Sequence, residues 1–387
     1  LMTVNFEDFN LRPELVQAIT ALGYTQPTPI QAGIIPLMQE GCDVTGQAQT
    51  GTGKTAAFAL PILNRIDPQQ YLPQALVVAP TRELALQVTE MIQSLGQFMG
   101  VSVLTVYGGT SYSQQLNQLR RGVQVVVGTP GRILDLIKRG RLDLTEVHTV
   151  VLDEADEMLS MGFVEDMEAI LAATPDDRQT TLFSATLPPR IRELARKYLR
   201  NPKTIAIQSE QVTVAATEQR VYYVNEHDKL AVLTRLFEME DITTALIFTR
   251  TRVRTGELVN ELNMRGFPSE ALSGDLSQEA REHTMARFRA GQVKVLVATD
   301  VAARGLDVEG ITHVFNYDLP EETETFVHRI GRTGRAGRTG VAISLARPSE
   351  RRQVRQIEQF THQVMLEGTV PSIEEIQAKR LDSLLSK

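Results

Sequence analysis

The sequence of 387 residues contains one cysteine and no tryptophan. Cys42 cannot form an internal disulfide by itself and lacks the companion ligands of a zinc site, so we expect it to be a small buried residue. The six histidines are scattered, and their spacing does not fit metal ligation. These absences exclude a disulfide framework and a zinc-bound fold.

Long apolar runs and an excess of positive charge are missing as well. No stretch reaches the ~20 apolar residues of a membrane-spanning helix, and the opening "LMTVNFEDFN" lacks the basic and apolar regions of a signal peptide. We therefore expect a cytoplasmic protein with no membrane partner. The net charge of −7 excludes a surface that grips nucleic acid everywhere, so any phosphate binding must be local.

Short apolar runs alternate with segments of helical period in both halves of the chain. The runs begin near residues 75, 101, 123, 148 and 179, and again near 243, 293, 312 and 340. Continuous apolar strands separated by helices predict a parallel sheet covered on both faces, so we predict an α/β fold with two such domains. We expect the domains at 1–208 and 218–363, a linker at 209–217 within the polar run 206–220, and a helical extension at 364–387.

The stretch "AQTGTGKTAA" at 48–57 matches the phosphate-binding loop, with Ala48 in place of the usual first glycine. It follows the short strand "CDVTG" and precedes the helical "AAFALPIL", which is the context that the motif requires. Gly51 and Gly53 allow backbone N–H groups to surround a polyphosphate. Lys54 can reach the β and γ phosphates, and the Thr55 hydroxyl can bind Mg²⁺. The stretch therefore predicts a site for a triphosphate with Mg²⁺.

Three carboxylates, Asp153, Glu154 and Asp156, follow the apolar run "VVL" at 150–152. Taken alone, the tetrapeptide is equally compatible with a chain that has left its strand for solvent. Burying this much like charge costs several kcal/mol unless a cation lies beside it. In a parallel sheet Asp153 would face the magnesium of the phosphate loop and hold it through water. Glu154 would then orient or deprotonate the attacking water.

Four arginines interleave with glycines in "HRIGRTGRAGR" at 328–338. Alone, such a run is compatible with a solvated basic loop or a nucleic-acid patch. Combined with a phosphate-binding loop in another domain, it indicates arginines that neutralise charge on a transferred phosphoryl group, an effect worth ~10³–10⁵ in rate.

The motifs, in this order, resemble those of the DEAD-box RNA helicases of superfamily 2, from Phe6 to about Gly340. "GYTQPTPIQ" (23–31) resembles the Q motif, and "PTRELA" (80–85), "GG" (108–109), "TPGR" (129–132) and "SAT" (184–186) resemble motifs Ia, GG, Ib and III. "LIFTRTR" (246–252), "QEAR" (278–281), "ATDVAARGLD" (298–307) and the arginine-rich run resemble motifs IV, IVa, V and VI. The resemblance implies two tandem RecA-like domains with a short flexible linker, and an ATP- and Mg²⁺-dependent RNA helicase core of bacterial type.

The resemblance also implies roles for single residues. Catalysis would fall to Lys54, Asp153, Glu154, Arg332 and Arg335. ATP would contact Phe6, Tyr24, Gln31, Thr50, Gly51, Thr52, Gly53, Lys54, Thr55 and Asp307, with Gln31 at the adenine edge and Phe6 on the base. Mg²⁺ would contact Thr55 and Asp153. RNA would contact Pro80, Thr81, Arg82, Gly109, Thr129, Arg132, Arg281 and Thr299. Ser184, Thr186 and His328 would couple the nucleotide and RNA sites.

The residues expected to contact RNA in the first domain lie at strand ends or loop starts, and several are small. Small residues let backbone N–H groups approach phosphates, and such contacts fix the position of a strand without reading its sequence. Aromatic residues are few in these loops, so we expect no base-stacking platform.

Three other functions fit part of the pattern. A DNA helicase or translocase of the same superfamily more often carries DEAH or DECH and begins motif VI with Gln, whereas this chain has Asp156 and His328. A non-catalytic RNA clamp would also need an ATP site. A small-molecule kinase gives no reason for arginine fingers on a second domain.

The last residues, "SIEEIQAKRLDSLLSK", predict a helix with Ser372 as its N-cap and Glu375 three residues on. Either this helix packs back on the second domain, or it continues in a longer parent protein as an oligomerisation element. Leu1, which precedes Met2, favours a shortened chain. We expect residues 1–387 to be a monomer and a longer parent to be able to dimerise.

Overall fold

A computed structural model describes residues 5–48, 52–109, 112–206, 217–273, 276–303, 310–334 and 339–385. The chain divides into two compact units, Leu1–Ser209 and Glu210–Lys387. Among the described residues, no helix combines the length and the apolar character needed to cross a membrane. Thr50, Gly51, Asp307 and Arg335 lie outside the described residues, as does nearly all of the expected linker.

The described part of the first unit forms seven strands in one parallel sheet. They are β1 (Val44–Gln47), β2 (Ala75–Val78), β3 (Val103–Val106), β4 (Val125–Gly128), β5 (Thr149–Leu152), β6 (Gln179–Ser184) and β7 (Lys203–Ala206). Their order across the sheet is β3-β4-β2-β5-β6-β1-β7. The helices between them are α1 (Pro13–Ala21), α2 (Pro29–Gln39), α3 (Lys54–Arg65), α4 (Arg82–Leu95), α5 (Tyr112–Arg121), α6 (Pro130–Lys138), α7 (Ala155–Ser160), α8 (Val164–Ala172) and α9 (Pro189–Tyr198).

Successive residues of the central strands belong to two different cores. In β2, Val77 packs into a core shared with α3 and α4, whereas Leu76 and Val78 pack into a second core with α6 and α8. Because side chains alternate between the faces of a strand, a strand covered on both sides must be apolar at every position. The prediction of a parallel sheet with helices on both faces is confirmed.

The second unit repeats this architecture. Its described strands are β8 (Thr217–Tyr223), β9 (Ala245–Phe248), β10 (Ser269–Leu272), β11 (Val295–Ala298), β12 (His313–Asn316), β13 (Gly340–Ala346) and β14 (Leu366–Glu367). They form one parallel sheet in the order β10-β11-β9-β12-β13-β8-β14. Its helices are α10 (Lys229–Met239), α11 (Arg252–Met264), α12 (Gln278–Arg289), α13 (Asp300–Ala303), α14 (Thr323–Ile330), α15 (Arg351–Thr361) and α16 (Ile373–Leu385).

The two sheets have the same topology. When the strands of each unit are counted from its own first strand, both sheets run third, fourth, second, fifth, sixth, first, seventh. Strand β8 is therefore the counterpart of β1, and β12 is the counterpart of β5. This equivalence allows the chemistry at the ends of matching strands to be compared directly.

The ends of the polar run 206–220, which we interpreted as linker, are strands. Ala206 closes β7, and β8 begins at Thr217, one residue before the expected start of the second domain. Thr217 and Gln219 are buried on one face of β8, while Glu218 is exposed on the other. The polar residues at its start hid this strand in the sequence. The buried Gln219 Nε2 donates a 2.7 Å hydrogen bond to Gln363 Oε1.

We had expected a helical segment after residue 363, but only part of this segment is helical. Strand β14 pairs in parallel with β8 before α16 begins. The predicted capping box is present, since Glu375 N–H donates to Ser372 Oγ (3.2 Å) and Ser372 N–H donates to Glu375 Oε2 (2.7 Å). The helix packs back on α10, where Lys379 Nζ donates to the Met239 carbonyl oxygen at 2.5 Å.

Candidate functional site

The described part of the phosphate-binding loop connects the end of β1 to the start of α3. Ala48 is buried beside β6, and its N–H donates to the Ser184 carbonyl oxygen (3.1 Å). Gly53, at φ +89°, caps α3, and a Cβ atom built there would lie 2.6 Å from Gln31 Nε2. Only glycine combines this backbone angle with that close approach. The turn delivers Lys54 and Thr55 as the first two residues of α3.

Lys54 is a buried cation aimed at a buried carboxylate. Its Nζ lies 3.9 Å from Asp153 Oδ1, and the two side chains are 6% and 3% exposed. Within the described residues this ammonium makes no hydrogen bond. Leaving three N–H donors of a buried cation unsatisfied is costly, so the geometry indicates that an anionic ligand completes the site.

Asp153 and Glu154 come directly after β5, beside Lys54. Burial raises the pKa of the Asp153 carboxyl to about 6, the Lys54 ammonium lowers it, and the Glu154 carboxylate raises it. Glu154 itself has a left-handed backbone, with φ +50° and ψ 54°. This conformation is strained for a residue with a side chain, and such strain concentrates at functional sites.

Asp156 connects the acidic motif to the "SAT" segment. Its Oδ2 accepts hydrogen bonds from both the N–H and the Oγ1 of Thr186, each at 2.8 Å. Its own N–H donates to Ser184 Oγ (3.2 Å), and that hydroxyl donates to the Thr186 carbonyl oxygen (2.5 Å). Hydrogen bonds through Asp156 thus connect Ser184 and Thr186 to the segment that carries Asp153 and Glu154.

The Q-motif residues lie against the same loop. Gln31 is buried on α2; its Oε1 accepts from Thr28 N–H (2.9 Å) and its Nε2 donates to the Gly53 carbonyl oxygen (3.2 Å). Phe6 is buried and stacks on Tyr24 with ring centroids 6.3 Å apart. Gln31 is thus fixed to the phosphate loop through Gly53, while Phe6 and Tyr24 pack together in the core that contains residues of α2 and α3.

The donor set suits a magnesium ion that arrives with its ligand. Thr55 and Asp153 supply one hydroxyl and one carboxylate, and no group of three or more His, Cys, Asp or Glu residues that could hold a metal occurs in the part of the chain that the structure describes. Mg²⁺ usually binds through one or two carboxylates together with substrate phosphates and water. The buried, unsatisfied Lys54 ammonium beside Asp153 indicates where those phosphates would lie.

The residues expected to contact RNA in the first unit follow three adjacent strands. Pro80, Thr81 and Arg82 come after β2, Gly109 comes after β3, and Thr129 and Arg132 come after β4. Thr81 caps α4, where its Oγ1 accepts from Leu84 N–H (3.2 Å), and Thr129 caps α6. The residues expected to bind the nucleotide or to couple to it follow β1, β5 and β6, so the two expected sets occupy separate halves of one sheet edge.

Two tyrosines lie under Arg82 and Arg132. These arginines belong to the half of the sheet edge that we expect to bind RNA, which we call the RNA half. The Arg82 guanidinium carbon is 4.4 Å from the centre of the Tyr107 ring, and that of Arg132 is 5.5 Å from the centre of the Tyr112 ring. Gly109 has φ +83°, and a Cβ there would have open space around it. An arginine therefore covers a face of each tyrosine ring. That bases do not stack on this surface remains a prediction.

In the second unit the structure brings Arg281 to the loop after β11. Its guanidinium donates to the Ala302 carbonyl oxygen (2.8 Å), and Thr299 caps the turn with its carbonyl accepting from Ala303 N–H (2.9 Å). His328 is half-buried on α14, and Arg332 is buried just beyond that helix.

Arg329 of motif VI is buried, and its guanidinium makes four hydrogen bonds inside the second unit. It donates to both carboxylate oxygens of Asp300 (2.5 and 2.8 Å), to Asn316 Oδ1 (3.1 Å) and to the Asp318 carbonyl oxygen (2.6 Å). Arg329 thus joins motif V to motif VI, a role that our reading of the arginine-rich run did not assign.

Two family models match the chain. One, described as DEAD/DEAH box helicase, matches residues 28–194, and the other, the helicase conserved C-terminal domain, matches residues 228–337. A DEAD-box ATP-dependent RNA helicase CshA from Geobacillus kaustophilus is 48% identical over 96% of this chain and 79% of that protein. The chain belongs to the DEAD-box helicase family. An ATP-dependent RNA helicase DeaD from Mycobacterium tuberculosis is 49% identical over 97% of this chain and 67% of that protein.

Solved structures of the family have the same fold. Dbp5 of S. cerevisiae bound to RNA and ADP BeF3 is 35% identical, covers 99% of this chain and 100% of its own, and has a TM-score of 0.86. A DEAD box protein from Methanococcus jannaschii is 40% identical, covers 94% of this chain and 99% of its own, and has a TM-score of 0.54. Two tandem RecA-like domains, expected from the motifs, are confirmed.

Proposed function

We propose that this chain is an RNA-stimulated ATPase that uses ATP to open short RNA duplexes, or to remodel RNA–protein complexes, locally and without tracking along the strand. The observation that carries the proposal is the division of one sheet edge. Lys54, with no hydrogen bond in the described residues, lies with Asp153 at one half, and Arg82 and Arg132 lie at the other. A bound triphosphate and a bound RNA strand would therefore meet the same rigid sheet.

The nucleotide half has the chemistry for hydrolysis. Lys54 would bind the β and γ phosphates, and Glu154 is our candidate for the base that activates water. Mg²⁺, held by Thr55 and Asp153, would neutralise charge on the phosphates. The Gln31 amide offers a donor and an acceptor, the pair that matches the edge of adenine. Phe6 and Tyr24 would supply the apolar surface beside the base.

The RNA half favours backbone recognition. Arg82, Arg132 and the open backbone at Gly109 suit phosphate groups, as do Arg281 and Thr299 in the second unit. Such contacts hold a strand without selecting its sequence. We therefore expect affinity for single-stranded RNA of any sequence, and we expect it to fall as salt rises, because counterions are released on binding.

The remaining residues would complete the ATP site from the second unit. We propose that Asp307 contacts the ribose and that Arg332 and Arg335 neutralise the transferred phosphoryl group. Closure of the two units would then assemble the ATP and RNA sites together, so that each ligand strengthens the other by ~1–3 kcal/mol. A duplex strand bent to fit the closed site would release its partner, and unwinding should fade as duplexes lengthen.

The proposal is tested by ATP turnover with RNA and with DNA of the same sequence. We expect single-stranded RNA to stimulate turnover at least tenfold more than DNA. Arg335→Ala should retain ATP binding by the first unit while losing hydrolysis. Equal stimulation by DNA would favour a DNA translocase, and ATP binding with no turnover under any condition would favour a clamp.

A further inference from the structure

Gln115 is the one fully buried side chain among the described residues of helix α5, and it is an amide. Helix α5 has the sequence "YSQQLNQLRR", and Gln115 is 5% exposed while its neighbours Gln114 and Gln118 are exposed. Burying an amide costs free energy unless both its donor and its acceptor are satisfied. No motif considered above includes this residue, so its burial needs a reason.

Both ends of the Gln115 amide bond to the RNA half of the sheet edge. Its Nε2 donates to the Tyr107 carbonyl oxygen (3.2 Å), and its Oε1 accepts from the Arg132 guanidinium (3.0 Å). A carbonyl can only accept and a guanidinium can only donate, so these two partners fix the orientation of the amide. Gln115 therefore ties the loop after β3, which continues to Gly109, to the start of α6.

The bond to Arg132 restricts a side chain that would otherwise be free to rotate. An arginine that is already oriented loses less entropy when it binds a phosphate, so pre-organisation strengthens binding without a new contact. The acceptor is neutral, so it orients the guanidinium without cancelling its charge. The Tyr112 ring at 5.5 Å lies beside the same guanidinium.

We propose that Gln115 is a positioning residue for RNA, which holds the Arg132 guanidinium and the GG-motif loop in one arrangement ready for neighbouring phosphates of the strand. This inference rests on the proposed function of the RNA half. Gln115 would thus contribute to RNA affinity without contacting RNA, because it is buried behind the proposed binding surface.

The test compares Gln115→Met with the matched control Gln118→Met. Methionine keeps the length and the helix propensity of glutamine but makes no comparable hydrogen bond. We expect Gln115→Met to weaken binding of single-stranded RNA about fivefold to tenfold and to raise the RNA concentration for half-maximal ATPase equally. The rate at saturating RNA should stay within about twofold of the parent. Gln118→Met should bind RNA as the parent does.

Two further measurements separate positioning from a general structural role. If Gln115 acts only by orienting Arg132, the guanidinium still neutralises its phosphate, so the plot of log affinity against log salt should keep the parental slope. The effect of Gln115→Met should also largely disappear in an Arg132→Ala background. A slope that flattens by ~0.7, which marks one lost phosphate contact, or effects that add fully, would overturn the proposal.

The Arg132→Ala variant also separates this inference from the proposed function. If Arg132→Ala binds RNA normally, the proposed RNA half is wrong and the inference fails with it. If Arg132→Ala weakens binding while Gln115→Met binds RNA as the parent does, only the positioning role is wrong. A Gln115→Met protein that melts at the parental temperature and binds RNA weakly, with the parental salt dependence, supports both.

Discussion

The two sheets share one topology, yet they use a lysine at the same place in opposite ways. Lys54 opens α3 after the first strand of its unit, and Lys229 opens α10 after the first strand of the other. Each points at an aspartate beyond the fifth strand of its sheet, Asp153 at 3.9 Å and Asp318 at 3.1 Å. Lys229 also pairs with Glu226 at 3.0 Å, so carboxylates of the protein itself neutralise its charge.

We interpret the difference as one arrangement that serves ligand binding in one unit and stability in the other. Among the described residues, Lys54 faces the Asp153 carboxylate at 3.9 Å and makes no hydrogen bond, so its donors are available to a ligand. Lys229 is nearly fully buried, and its two carboxylates and the Tyr317 ring at 5.4 Å surround it. The residue after Asp153 is Glu154, our candidate base, whereas Asp318 is followed by the buried Leu319.

The largest effect should come from Lys54→Met. Because the triphosphate loses its positioned charge, we expect ATP turnover to fall about 10³-fold or more. The free energy of unfolding should fall less than in Lys229→Met, since the Lys54 ammonium makes no hydrogen bond in the described structure and lies 3.9 Å from its carboxylate. Steady-state ATPase and urea titration measure both, with the exposed Lys203→Met as control. Near-parental turnover would show that the loop assignment is wrong.

Glu154→Gln, in the same unit as Lys54, should separate ATP binding from ATP hydrolysis. ATP and Mg²⁺ should still bind, but without the base we expect hydrolysis to fall ~10²–10⁴-fold. The variant should remain on RNA in the presence of ATP as a long-lived complex. Dissociation of labelled RNA followed after a chase measures this, and the exposed Glu165→Gln should dissociate as the parent does. Rapid release would count against Glu154.

Lys229→Met should show the reverse of Lys54→Met. Removing one partner of a buried ion pair leaves an uncompensated charge, which costs about 3–5 kcal/mol. We expect the loss in the second unit, measured by native-state hydrogen exchange of the β12 and β8 amides. Lys197→Met, which breaks the exposed pair with Glu168, should change little. An unchanged exchange rate in β12 would contradict a structural role for Lys229.

The smallest effect concerns pH. The pKa of Asp153 is raised from 3.8 to about 6, so between these values the folded, nucleotide-free protein binds more protons than the unfolded chain. Stability should therefore fall as pH rises from about 4 to about 6, by up to about 3 kcal/mol. Asp153→Asn should flatten this dependence and remain more stable at neutral pH, while losing turnover. Parental pH dependence in Asp153→Asn would contradict the shift.

The sequence predicted the buried strands and the ends at which the chemistry lies. β2, β4 and β11 are apolar at every position, and β5 is apolar after Thr149, because both faces of these strands are covered, and that pattern is visible without a structure. Edge strands were harder to predict. β7 and β14 are short and largely exposed, so no apolar pattern marks them.

Some residues have roles that depend on side chains distant in sequence, and the local sequence did not reveal these roles. Gln115 resembles the exposed glutamines on the same helix until its contacts with Tyr107 and Arg132 are known. Lys229 lies in no phosphate-binding motif, and its role depends on carboxylates as distant in sequence as Asp318. The role of Arg329 could have been suspected from its motif, but its partners come from two separate segments, at Asp300 and at 316–318.

The most direct test of the two lysines is the stoichiometry of nucleotide binding, measured by titration with a fluorescent ADP analogue in the presence of Mg²⁺. The account predicts one site per chain, which is lost in Lys54→Met and retained in Lys229→Met under conditions where that variant is folded. Two sites per chain, or one site that survives Lys54→Met and disappears with Lys229→Met, would contradict it.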